Sequence, residues 1–183
     1  SQQLIAFGVP AEKIKVYSYD RHVLCELSEH QKMLDEIHAD SILYAYYDLN
    51  RSSETYDVTS FLATADCYRE QQGLTHLHMV IVARDTQWQA QAYCLEEHER
   101  LWRAENIVKQ ACSLIPACKG MTYCTSREQA QWYLDSSQHK FPLDYRLDNP
   151  PPITVHKDFY YWLDQGVDPR RFQSTPKASH YIQ

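Results

Sequence analysis

Residues 42–65 read ILYAYYDLNRSSETYDVTSFLATA, and two different patterns meet within them. Residues 42–48 are apolar or aromatic almost throughout, which is typical of a β-strand covered on both faces. From Asp57 onward the apolar residues recur at helical spacing instead, at Val58, Phe61, Leu62 and Ala65. The stretch therefore predicts a buried strand, a polar turn and an amphipathic helix, which is the repeating unit of an α/β protein.

The same alternation continues on both sides of this unit. Short runs at 14–20, 77–85 and 120–126 predict further strands, and helical spacing predicts helices at 26–39, 95–114, 127–134 and 155–166. In the long helix, one apolar stripe comprises Leu101, Ala104, Val108, Ala111, Cys112 and Ile115. Strands that are solid apolar runs and alternate with helices predict a Rossmann-like parallel sheet flanked by helices.

The chain divides into two parts on this reading. Residues 1–40 are interpreted as a linker, or as an edge strand with a helix, and residues 41–183 as the Rossmann-like α/β domain. From about residue 136 the pattern is irregular and includes the stiff DNPPP break at 148–152. Thr175 and Pro176 begin a helix that has little room to continue, so we expect the chain to be part of a longer protein.

Composition narrows the classes of partner. The 183 residues carry a net charge of −6, which gives no basic field for nucleic acid, so no nucleic-acid partner is expected. No apolar run approaches the roughly 20 residues of a membrane span, and the N-terminal residues do not resemble a secretory signal. The six cysteines form no CxxC pair, so their spacing does not suggest structural zinc. Without a secretory signal we expect reduced thiols and a cytoplasmic location.

Polar side chains follow each of the three main predicted strands. Asp48, Asn50, Arg51, Ser52 and Ser53 follow the first, Arg84 and Asp85 the second, and Cys124, Ser126 and Arg127 the third. Carboxyl ends of parallel strands share one edge of a sheet, where ligands of open α/β sheets bind. The sequence therefore predicts a substrate-binding site there, with arginines able to grip a phosphate by two hydrogen bonds.

Each of these groups also has a simpler interpretation. The first loop can be a polar turn that caps the next helix, Arg84 and Asp85 can form a neighbouring ion pair, and Ser126 can be a helix cap. Arg103 and Asn106 on the long helix can face the cleft, or can belong to a solvated face with i,i+4 ion pairs. Both interpretations stay open for every group.

Established catalytic and metal signatures are missing from the sequence. Four glycines argue against a glycine-rich phosphate loop, and no P-loop, GxGxxG, HExxH or GxSxG pattern occurs. A nucleophilic Cys124 would need a base nearby, and none is evident locally. His76 and His78 have no further ligands at metal-binding spacing, so no metal site is expected.

Four ordered segments resemble a poorly characterised group of bacterial proteins assigned as glycosyltransferases. These are YYDLNRSSETYDVTSFLATADCYREQQGLTHLHMVIVARD, EEHERLWRAENIVKQACSLIPACKGMTYCTSREQA, HKFPLDY and RRFQSTPKASHYI, which lie within residues 41–183. The group tends to carry prolines after the serine of the first loop, where this chain has SSET at 52–55.

The resemblance implies the N-terminal, acceptor-side lobe of a two-lobed, GT-B-like glycosyltransferase of glycan or surface-polysaccharide synthesis. The nucleotide-sugar donor would be held through a C-terminal lobe that is missing here, so this lobe alone would bind no cofactor and be inactive. The glycan acceptor would contact the lobe present. An inverting transfer needs a base against the acceptor hydroxyl, and Asp48 is the first candidate.

Two other functions remain open at this stage. Many tyrosines and the absence of a complete catalytic set favour a non-catalytic module that binds a partner protein or positions neighbouring domains, through intramolecular or homo-oligomer contacts. Another nucleotide-binding α/β enzyme, such as a methyltransferase, is disfavoured by the shortage of glycine in the strand-to-helix turns.

Overall fold

A six-stranded sheet forms the centre of the computed structural model, which describes residues 15–18, 23–26, 41–85, 96–153 and 155–174. The strands are β1 (Lys15–Ser18), β2 (Val23–Glu26), β3 (Ile42–Asp48), β4 (His76–Val82), β5 (Cys118–Cys124) and β6 (His139–Phe141), in the order β2-β1-β5-β4-β3-β6. Strands β5, β4, β3 and β6 run parallel to one another, which confirms the predicted Rossmann-like α/β fold.

The edge of the sheet beyond β5 differs from the prediction. Strands β1 and β2 pair antiparallel, and β1 is antiparallel to β5, where Tyr17 faces Met121. Glu26 lies in β2, although the sequence pattern assigned it to a helix over 26–39. The rest of that predicted helix, like the predicted last helix from Thr175, lies outside the described residues.

Strand β6 lies in the segment whose sequence pattern predicts irregular structure from about residue 136. The strand has only three residues, too few to show alternation, and its pairing with β3 is what defines it. It has a large effect on topology. The chain adds β4 and β5 on one side of β3 and then returns to place β6 on the other side, so the strand order reverses between β3 and β6.

The described residues form four helical segments. They are α1 (Asp57–Gln71), the composite helix α2 (Glu97–Leu114), α3 (Arg127–Ser136) and α4 (Val155–Asp164). Gly73 follows helix α1, and its φ of 69° is the left-handed conformation that glycine favours after a helix. No described helix combines the length and apolar character needed to cross a membrane.

The two faces of the sheet pack against different helices. On one face Leu43, Tyr47 and Ile81 contact the apolar sides of α1 and α2. On the other face Tyr46, Val80, Val82 and Cys124 pack with Ala130 and Tyr133 of α3 and with Tyr145. Successive residues of a strand point to opposite faces, so strands covered on both sides need continuous apolar sequences, as predicted.

Helix α2 is not one regular α-helix. It runs as α-helix over Glu97–Arg103, as π-helix over Ala104–Val108 and as α-helix over Lys109–Ala111, and it ends in a 3₁₀ turn over Cys112–Leu114. The wider π turn changes the phase of the helix. Leu101 is therefore 58% exposed, although the regular stripe predicted it to be buried with the other members, which are buried.

Candidate functional site

Asp48, the last residue of β3, is the centre of a buried polar network at the carboxyl edge of the sheet. Its side chain is 3% exposed, and Arg127 at the start of α3 forms a two-contact ion pair with it, with Nη2 3.1 Å from Oδ1. Tyr145, after β6, donates its hydroxyl to Oδ2 at 2.8 Å. The backbone N–H of Asn50 donates to Oδ1 at 3.0 Å. Three separate segments therefore meet on one carboxylate.

The network lies where the strand order reverses. Asp48 ends β3, and Tyr145 follows β6 on the other side of the reversal. In open α/β sheets the crevice between two such strands is the usual ligand site, because the loops that follow them diverge to opposite faces. An open depression of about 340 Å³ adjoins it, lined by Arg127, Glu128, Gln131, Leu147 and Asp148.

Tyr145 is held as a neutral donor. Burial raises the pKa of its phenol strongly, and the adjacent Asp48 carboxylate raises it further. The ring also stacks on Tyr46, with centroids 4.7 Å apart and planes 13° apart. The phenol therefore fixes one Asp48 oxygen and does not act as a base.

The turn after β3 is built around Asp48 and linked to the next strand. The N–H groups of Arg51 and Ser52 donate to the Asp48 carbonyl at 3.0 and 2.9 Å. The Asn50 side-chain oxygen accepts the N–H of Asp85 at 2.8 Å, joining the loops after β3 and β4. The predicted meeting of these loops at one edge is therefore observed for Asp48, Asn50, Asp85 and Arg127.

Arg84 does not pair with Asp85. Its Nη2 lies 3.1 and 3.2 Å from the two carboxylate oxygens of Glu54, which is 5% exposed. The Nε and Nη1 atoms of Arg84 are buried and have no hydrogen-bond partner among the described residues. The second loop thus brings a guanidinium with two unused donors to the same edge.

The remaining loop residues have mainly structural contacts. Ser53 donates to Asp57 at 2.8 Å in the first turn of α1, and Arg51 Nε donates to the carbonyl of Pro150 at 3.1 Å. Ser126 accepts the N–H of Gln129 at 3.3 Å as the N-cap of α3, as the simpler interpretation predicted. Ser126 thereby sets the start of the helix that carries Arg127.

Arg103 and Asn106, the two candidates on the long helix, make their hydrogen bonds within α2. Arg103 Nη2 lies 2.8 Å from Glu99, and the Asn106 side chain donates to the carbonyl of Trp102 at 2.8 Å. Within the described ranges, no hydrogen bond joins either residue to Asp48 or to the neighbouring loops. Their contacts match the solvated helix face that the sequence left open.

Cys124 and His78 lie in the core, whereas His76 is only partly buried. Burial raises the pKa of the Cys124 thiol to about 12, so the thiolate needed for nucleophilic attack is scarce at neutral pH. His78 is 2% exposed, with Nε2 2.9 Å from Thr122 and its ring stacked near Tyr133. In the part of the chain that the structure describes, no group of three or more His, Cys, Asp or Glu could hold a metal ion.

Sequence reasoning did not select Tyr145 or Glu54. Tyr145 lies 97 residues from Asp48, in a segment predicted to be irregular, and no local pattern marks it. Glu54 stands in the polar loop as one charge among several, and only the placement of Arg84 beside it shows its role. A search for opposite charges after adjacent parallel strands would have found the Glu54–Arg84 pair.

No protein-family model matches this chain, and comparisons with curated proteins and with solved structures found no match either.

Proposed function

We propose that this chain is the N-terminal, acceptor-side lobe of a bacterial GT-B-like glycosyltransferase that acts in glycan or surface-polysaccharide synthesis. The proposal combines the resemblance of four segments with a Rossmann-like sheet whose strand order reverses at β3 and β6. The nucleotide-sugar would bind mainly to a second lobe, and the lobe described here would bind the acceptor. We place the reaction in the cytoplasm.

One observation supports the proposal most strongly. The loops after β3, β4 and β5 and the segment after β6 are tied together at one edge of the sheet, through Asp48, Asn50, Arg127 and Tyr145. Ion pairs and charged hydrogen bonds hold this edge in one geometry. Fixed loops around a crevice are what a transferase needs to align an acceptor hydroxyl with a donor sugar.

Within this proposal, we assign Asp48 a positioning role. A general base must come within hydrogen-bond reach of the proton it removes, about 2.6–3.2 Å between heavy atoms. The Asp48 oxygens are already used by Arg127, Tyr145 and the Asn50 N–H, and the side chain is 3% exposed. Asp48 as the base stays a prediction, and it requires a partner to leave when acceptor binds.

The test is transfer from a nucleotide-sugar to a glycan. The full-length gene product that contains this chain is incubated with radiolabelled nucleotide-sugars and a panel of bacterial glycans. Label in the glycan is expected, and kcat should fall in Asp48→Asn. A base would give a loss of about 100-fold or more, with the acidic limb of the pH–rate profile removed. A positioning role leaves that limb in place. Absence of transfer across the panel contradicts the proposal.

A second candidate, a non-catalytic interaction module, is favoured by exposed apolar side chains on and near α4. Tyr160, Tyr161 and Leu163 are 63%, 52% and 45% exposed on this helix, and Leu143 is 63% exposed before it. Grouped exposed apolar residues are typical of protein-binding surfaces. Concentration-dependent self-association by light scattering that Tyr160→Ser and Leu163→Ser abolish, in a protein without transferase activity, would support this function.

A further inference from the structure

We propose that a cavity between α1, the segment after β6 and α4 binds a neutral sugar ring, which is the acceptor unit of the proposed transfer. The cavity has a volume of about 610 Å³. Ligand pockets usually measure about 300–1,000 Å³, so a mono- or disaccharide fits this space. The assignment as acceptor site rests on the proposed function, whereas sugar binding can be tested without any turnover.

Five of the thirteen described residues that line the cavity are aromatic. Trp162 and Tyr161 line it from α4, Phe61 and Tyr68 from α1, and Phe141 from the end of β6. The Phe141 ring lies 5.5 Å from that of Phe61 and 5.7 Å from that of Tyr68, so these side chains form one continuous surface. The C–H faces of a pyranose ring are apolar and can pack against aromatic rings, while nearby polar groups hydrogen-bond to its hydroxyls.

Three of the described residues that line the cavity are polar. Thr64 lines the cavity with a side chain that is 4% exposed, and its Oγ1 has no hydrogen-bond partner among the described residues. A buried hydroxyl without a partner is rare in folded proteins, and a hydroxyl of a bound ligand would satisfy it. Gln71 and Asp144 add an amide and a carboxylate at the same cavity.

The charge of the lining selects against phosphate-containing ligands. Among the described residues that line the cavity, Asp144 is the only charged one, and none is a lysine, arginine or histidine. A nucleotide diphosphate would meet a carboxylate and no cation, which is unfavourable in a partly closed site. The lining therefore suits a neutral, hydroxyl-rich acceptor, whereas the Arg84 and Arg127 guanidiniums lie with the separate loop network at the sheet edge.

The experiment is a nuclear magnetic resonance titration of the chain with glucose, galactose, N-acetylglucosamine and their methyl glycosides. At least one sugar is expected to shift the Trp162 indole and the Thr64 resonances saturably. Tyr161→Ala and Thr64→Val should each weaken that binding about fivefold to tenfold. Thr64→Val removes a hydroxyl that has no partner, so the fold is retained.

Tyr160→Ala is the matched control, because Tyr160 is a neighbouring exposed tyrosine on the same helix and does not line the cavity. It should leave the sugar affinity unchanged. The proposal is overturned if no sugar in the panel binds saturably, or if Tyr160→Ala weakens binding as much as Tyr161→Ala.

The two proposals fail in different ways. Sugar binding that Tyr161→Ala weakens, in a protein that transfers no sugar, removes the transferase function and leaves the cavity as a carbohydrate site. Transfer whose acceptor KM is unchanged in Tyr161→Ala and Thr64→Val keeps the transferase function and removes the cavity as its acceptor site.

Discussion

The Asp48 side chain is held by contacts with Arg127, Tyr145 and the Asn50 N–H. Its carboxylate is buried, and the opposing Arg127 side chain is only 23% exposed. Removing one member of a buried ion pair leaves the other charge without compensation, which typically costs about 3–5 kcal/mol. The partial exposure of Arg127 lets water reach the remaining charge and reduces that cost.

We therefore expect Asp48→Asn to lower the free energy of unfolding by about 2–3 kcal/mol, measured by urea denaturation. The matched control is Asp148→Asn, since Asp148 and Arg146 form an ion pair in which both side chains are about 70% exposed. Water and salt screen exposed pairs of this kind, so the control should change stability very little. Equal losses in the free energy of unfolding of the two variants would show that the Asp48 network stabilises the fold no more than an exposed ion pair does.

The Tyr145 hydroxyl makes a separate contribution at the same carboxylate. Tyr145→Phe removes the 2.8 Å hydrogen bond to Asp48 and keeps the ring that stacks on Tyr46. Hydrogen bonds to charged groups contribute about 1.5–3 kcal/mol, so a loss in this range is expected at neutral pH. Tyr161→Phe is the matched control, because it removes the same hydroxyl from a half-exposed tyrosine. It should leave the free energy of unfolding nearly unchanged.

At the scale of elements, α3 connects a local sequence signal to the site. Ser126 is the N-cap of α3, and Arg127 is the first residue of that helix. The cap therefore fixes the start of α3 beside Asp48. Ser126→Ala should lower the free energy of unfolding by about 1 kcal/mol, measured by thermal and urea denaturation. Ser136→Ala, the same change at the other end of α3, removes no N-cap and should shift stability by less than about 0.5 kcal/mol. A larger effect at Ser136 than at Ser126 would contradict this account of the helix.

Elements with long, one-sided or continuous apolar patterns could be predicted from the sequence, and short or irregular ones could not. Strand β3 and helix α1 follow directly from residues 42–65, because burial dictates their spacing. Strand β6 exists through its pairing with β3, and the exposure of Leu101 follows a π turn that no residue pattern announces. The loop residues of the site could be predicted because they follow the ends of strands. The role of Tyr145 could not, because it depends on a tertiary contact with Asp48.

At the scale of the whole molecule, one layer contains several groups that resist ionisation. Between the sheet and α3, burial raises the pKa of the Cys124 thiol to about 12 and strongly raises the pKa values of the Tyr46, Tyr133 and Tyr145 phenols. Below about pH 9 these groups are protonated in both the folded and the unfolded chain, so they leave stability unchanged. Above it, the unfolded chain releases protons that the folded chain retains.

Stability is therefore expected to fall as the pH rises, from about pH 9 for Cys124 and from about pH 10 for the tyrosines. Each group lowers the free energy of unfolding by about 1.4 kcal/mol per pH unit between its unfolded and folded pKa values. Against a typical stability of about 5–15 kcal/mol, the three phenols and the thiol together should unfold the protein cooperatively in alkaline solution. Far-ultraviolet circular dichroism and tyrosinate absorbance should then change in one transition.

The Tyr145→Phe variant releases one proton fewer on unfolding than the unsubstituted protein. Its free energy of unfolding should therefore decline less steeply above pH 10, by about 1.4 kcal/mol per pH unit. Tyrosinate absorbance that rises gradually while the dichroism stays constant would contradict this prediction. It would mean that water reaches the tyrosines between the sheet and α3 without unfolding of the protein.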